Sequence, residues 1–162
     1  MLFLVLLLAA LAGAATAVVL AVRGFVAAFR RGGRSRAGWL RVAALLAGAG
    51  TIAVYAWGVL HLGVAVLQAE DGGAGSSPIQ PCREGGPQLA SQVTGYGVNY
   101  LPLRFECHLG DGGGTYITSS VPGYVNQAAG ALGLVTAVCG VLATTKAKRA
   151  RPPVAHTADR DN

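Results

Sequence analysis

The sequence predicts an α-helical membrane protein with three transmembrane helices and a small disulfide-stapled β-hairpin in an extracytoplasmic loop. Three observations predict it. Only 12% of the 162 residues are charged, where a soluble domain carries roughly 25%. The uncharged residues gather in long apolar runs with the basic residues in the gaps between them. Two of the three cysteines share the one segment that is poor in basic residues. The net charge of +6 would suit nucleic acid in a soluble chain, but its confinement to the gaps between spans removes that partner and leaves the lipid bilayer.

Residues 1–22, MLFLVLLLAALAGAATAVVLAV, carry no charge and form the first span, since about 20 apolar residues cross a ~30 Å hydrocarbon core. The run lacks a basic start and is too long for the apolar core of a signal peptide, so a retained helix is expected. Residues 23–41 form an Arg-rich loop. Residues 42–67, VAALLAGAGTIAVYAWGVLHLGVAVL, are the second span, with His61 near its outer end. Residues 68–126 are the extracytoplasmic loop, residues 127–145 the third span, and residues 146–162 a basic, disordered tail. Asn126 is placed to N-cap the third helix after the Pro122-Gly123 break. Trp39, Trp57 and Tyr124 fall where interfacial aromatic rings anchor.

Orientation follows from Arg23, Arg30, Arg31, Arg34, Arg36 and Arg41 after the first span, and from Lys146, Lys148, Arg149 and Arg151 after the third. The positive-inside rule puts both groups in the cytoplasm. The N-terminus and the middle segment are then outside a multi-pass plasma-membrane protein. Residues 69–125 carry Arg83 and Arg104 against Glu70, Asp71, Glu84, Glu106 and Asp111, a net −3. Cys82 and Cys107 lie there, in the compartment where disulfides persist; Cys139 lies mid-span and is expected to be free.

The hairpin is expected over about residues 93–121. Leu103, Phe105 and Cys107 alternate with Arg104, Glu106 and His108, which gives a strand one apolar and one polar face. GDGGG at 110–114 supplies the reversal and TYITSSV the return strand. Pro102 is expected at a strand start or edge, and Tyr96, Tyr100, Phe105, Tyr116 and Tyr124 as most of a small core. Neighbours on a strand point to opposite faces, so Cys107 and His108 do not make a thiolate–imidazole pair. A Cys82–Cys107 bridge would make the hairpin a stapled cap.

Other chemistry finds little support. Glu106 and His108 share a face, but no second histidine in the outer loop completes a zinc set. GDGGG lacks the Gly-Lys-Ser/Thr of a phosphate loop. No catalytic residue, metal site or cofactor is assigned. Small residues fall on one face of each span: Ala10, Gly13, Ala14, Ala17 and Ala21; Ala44, Ala47, Gly48 and Thr51; Ala129, Gly133, Thr136, Ala137, Gly140 and Thr144. Such stripes let helices approach closely, within one chain or between copies in a homo-oligomer.

The run YLPLRFECHLGDGGGTY at 100–116, followed by VPGYVN at 121–126, resembles the outer loop of small uncharacterised actinobacterial integral membrane proteins. In these a Cys-containing hairpin leads through a Pro-aromatic turn into the last span. The resemblance implies location and carries no activity. The expected role is an accessory or interaction protein that presents the cap to an extracytoplasmic or membrane protein through Arg104, Glu106 and His108. A small transporter or channel subunit is the alternative, with only His61 to line a path. A membrane enzyme ranks third, without a nucleophile–base or paired-carboxylate arrangement.

Overall fold

The computed structural model describes residues 1–31, 36–70, 79–110 and 113–149. Arg34, Arg151, Asp71, Asp111 and the tail beyond residue 149 lie outside the described residues. The long helices are α1 (Leu2–Arg31), α2 (Arg36–Glu70) and α4 (Tyr124–Arg149). All three are long and apolar enough to cross a membrane. Between α2 and α4 come a 3-10 helix (Gln80–Gly85), a short α3 (Pro87–Ala90), and strands β1 (Val93–Tyr100), β2 (Leu103–Leu109) and β3 (Thr115–Ile117).

The helices overrun the charge-free runs that announced them. The segment 23–41, read as a loop, is helical through Arg31 and again from Arg36. Arginine is a good helix former, and a charge ends a lipid-compatible run without ending the backbone ladder. α2 alone is 35 residues, about 52 Å at 1.5 Å per residue, well beyond a ~30 Å hydrocarbon core.

α2 packs against both α1 and α4, antiparallel to each. Small residues set the spacing. A Cβ built on Gly13 of α1 would lie 3.3 Å from Ala56, and one on Gly24 would lie 2.9 Å from Leu46. On α4's side, Gly48 faces Thr136, Gly50 faces Leu132, and Gly58 meets Val125 at 2.6 Å. The stripes predicted on the spans therefore serve contact within the chain over their middle part. Gly140, by contrast, has open space around it.

In place of one hairpin, the loop folds into a three-stranded antiparallel sheet in the order β1-β2-β3. Val93–Tyr100 is a strand in its own right, and Pro102 sits in the Leu101-Pro102 turn that joins it to β2. The return strand is short. After Ile117 only the Thr118 N–H continues the ladder, donating to the Phe105 carbonyl at 3.1 Å. The sheet lies along the flank of α2 rather than on its tip. Leu103 touches the Gly58 level, while the Tyr96 hydroxyl reaches Glu70. Phe105, Leu103, Cys82 and Cys107 are fully buried in one cluster with Leu62, Val66 and Val125. The sheet and the helix ends beside it thus share a core. Tyr100 and Tyr124, expected inside it, are exposed.

Candidate functional site

The cap is built outward from the Cys82–Cys107 disulfide. Pro81 fits the start of the 3-10 turn that carries Cys82, because its fixed φ suits a helix start. The turn is then tied to the far side of the sheet. The Tyr116 hydroxyl donates to the Cys82 carbonyl, and the Tyr116 ring lies against Gly85, where an added Cβ would come within 2.9 Å. The Glu84 carboxylate accepts from the Ser119 N–H at 2.8 Å and from the Ser119 hydroxyl at 2.7 Å.

The alternation along β2 divides its side chains as the sequence pattern implies. Leu103, Phe105 and Cys107 are buried against the helices, and Tyr96 stacks on Phe105 with ring centroids 5.2 Å apart. Arg104 and His108 are exposed and Glu106 half-buried on the opposite face. Register places Asn99, Gly97 and Gly95 beside them from β1, and Ile117 and Thr115 from β3. His108 leans across Gly97, whose missing Cβ would stand 2.6 Å from Nε2. Among the described residues no hydrogen bond or ion pair joins Arg104, Glu106 and His108 to one another.

Both ends of β2's second edge are closed. Cys107 pairs with Tyr116, Phe105 accepts from Thr118, and the Asn126 carboxamide satisfies Leu103 completely, accepting from its N–H at 2.9 Å and donating to its carbonyl at 3.0 Å. Asn126, predicted as an N-cap, lies inside the first turn of α4 and serves as a one-residue substitute for a strand. By the alternation of an antiparallel ladder, the open backbone edge is β1's, at Tyr96 and Val98. Tyr100's carbonyl there is already taken by the Tyr55 hydroxyl at 2.7 Å. Beside Arg104 a groove of about 700 Å3 runs between Thr118, Ser119 and the first turn of α4.

Glu70, Glu84 and Asn126 are the connecting residues that sequence reasoning missed. Their partners lie 26, 35 and 23 positions away, and no short motif signals such pairs. His61 rests edge-on against Trp57, centroids 4.8 Å apart. Arg23, Arg30, Arg41 and Lys146 are exposed on helix segments at the end of the bundle away from the sheet, and Arg31, Arg36, Lys148 and Arg149 belong to the same helix ends. Among the described residues no three His, Cys, Asp or Glu side chains converge to hold a metal.

Two tyrosines titrate abnormally. Burial, then the charge of Glu70 and the hydrogen bond to it, pushes Tyr96 above the ordinary value of 10.0. Burial and then Glu84 push Tyr116 the same way. A raised folded-state value means the fold retains the neutral phenol. The stability this supplies is complete below pH 10, where the unfolded chain is also neutral, and is lost as pH rises through the folded values. Near-ultraviolet circular dichroism of the detergent-solubilised protein should hold steady from about pH 7 to 9 and decline above about 10. A decline centred below about pH 9 would contradict this origin.

No family model, curated protein or solved structure matches this chain, so its functional reading rests on the geometry of the cap.

Proposed function

We propose that this is a multi-pass plasma-membrane protein, of the small actinobacterial kind its outer loop resembles, whose cap recognises another protein. The cap lies outside, and the arginine- and lysine-bearing helix ends are cytoplasmic. The supporting observation is the two-sided sheet. Its inward face is committed to the helix ends, and its outward face presents Arg104, Glu106 and His108, which among the described residues have no ion pair or side-chain hydrogen bond, beside the groove. Charged groups held on a rigid strand and already spread apart lose little freedom on meeting complementary charges. The cap's net −3 favours a protein over anionic headgroups as the thing contacted. A partner strand, if one is used, would add to β1 at Tyr96 and Val98 and not to β2.

The test places the photocrosslinking residue p-benzoylphenylalanine at Ile117, which is exposed on the same face opposite Glu106. In native membranes a discrete adduct should form, and its yield should fall at least about tenfold when Arg104, Glu106 and His108 are all alanine, as loss of a few charge-assisted contacts implies. The disulfide should remain intact. An unchanged adduct in the triple variant would sink recognition through this face.

A further inference from the structure

The turn between β1 and β2 is the most exposed apolar point of the cap, since Leu101 is 85% accessible with Tyr100 and Pro102 also exposed beside it. Two attachments fix its height along the bundle. The Tyr100 carbonyl accepts from Tyr55 of α2, and Leu103 is clamped by Asn126 in the first turn of α4. Gly58 lies against both Leu103 and Val125, so the turn, the start of α4 and the Trp57–Gly58 step of α2 share one level. Trp57 and Tyr124 at that level are 50% and 58% exposed.

That level is where a bilayer would end. On α2, Trp39 and Trp57 are eighteen positions apart, about 27 Å along the axis, close to the ~30 Å of a hydrocarbon core. Amphipathic rings collect at both boundaries of such a core. An uncharged Tyr-Leu-Pro turn that reaches down to the outer boundary meets acyl chains and glycerol, not water.

We propose that the β1–β2 turn is a membrane-contacting wedge, with Leu101 inserted into the outer leaflet at the level of Trp57 and Tyr124. The inference rests on the membrane-spanning reading of the three helices. The wedge ties the cap to the bilayer independently of the helices and fixes the height at which the recognition face stands.

Single-tryptophan variants test it in full-length protein in which Trp39 and Trp57 are phenylalanine. Leu101→Trp, Thr115→Trp and Val138→Trp are each reconstituted in phosphatidylcholine–phosphatidylglycerol vesicles, with lipids brominated high on the acyl chain or with aqueous iodide as quencher. The Leu101→Trp indole should be quenched by the brominated lipid, with iodide quenching at least threefold weaker than for Thr115→Trp, which controls for tryptophan's own affinity for interfaces. Val138→Trp, on the exposed face of α4, reports the span. Lipid quenching at Val138 with iodide access at Leu101 equal to that at Thr115 overturns the wedge and leaves the spanning reading standing. Absence of lipid quenching at all three positions overturns both.

Discussion

Cys82→Ser should open the cap while the helices remain in place. The bridge joins residues 25 apart, a loop whose closure is worth about 3.5 kcal/mol in the chain-entropy model, within the usual 2–5 kcal/mol for removing a native disulfide. A cap this small has little reserve, because short segments bury too small a fraction of their surface. The loss falls on one place: the 3-10 turn would lose its covalent tie to the sheet and keep weaker ones such as those of Tyr116 and Glu84. Limited trypsin digestion of membrane vesicles should cut at Arg83 and Arg104 in the variant under conditions that spare the parent, while resistance to carbonate extraction is unchanged. Cys107→Ser should behave the same way. Mass spectrometry of the unreduced parent should find the two peptides linked and Cys139 free. Trypsin resistance equal to the parent's in both serine variants would show that the cap stands without its staple.

Phe105→Ala should be comparably damaging for a different reason. Phe105 is fully buried, packs with the C-terminal end of α2, and stacks on Tyr96. Truncating a buried phenylalanine costs about 3–5 kcal/mol, from lost transfer and the cavity left behind. The disulfide would survive, so the two variants separate topology from packing. In Phe105→Ala the linked peptides should still be recovered, yet amide exchange across β2 should accelerate by roughly two to three orders of magnitude, as that energy implies for local opening. Phe105→Leu, which fills most of the space, should recover much of the protection. If exchange in Phe105→Ala stayed within a few-fold of the parent, the cap and the helix ends would not share a core as described.

What was legible in the sequence was what short-range periodicity encodes. The three long apolar helices show as unbroken apolar runs, and the two faces of β2 show because strand side chains alternate. The cysteine pairing was readable because compartment and strand face gave the same answer. β1 was harder to see, since VTGYGVNY has two glycines and no alternation of apolar and charged residues. Its identity as a strand comes from its neighbour. Asn126 was misplaced because the N-cap rule looks two or three residues ahead, whereas its partner, Leu103, lies across the tertiary structure. Tyr100 and Tyr124 were misplaced for a chemical reason. An amphipathic ring suits a core and a membrane boundary equally well, and only the fold decides which of them it meets.

The helix register has a mechanical consequence. α4 begins opposite Gly58, whereas the first turns of α1 run higher, with Phe3 and Leu6 against Gly63. The contacts near the starts of the two apolar runs therefore differ in height by five residues of α2, about 7.5 Å. Leu8, 66% exposed, stands at the height of the sheet on another side of α2. A bilayer that wets both runs meets a slanted belt. With α1 and α4 on different sides of α2 and neighbouring helices 8–10 Å apart, the slant corresponds to a lean of about 20–25°, near the average for spanning helices. Leaning sinks the α1 side and lifts the opposite flank. In a bilayer, uprighting the bundle would strip lipid from α1's leucines, so the mismatch between two apolar helices would set the tilt of the cap.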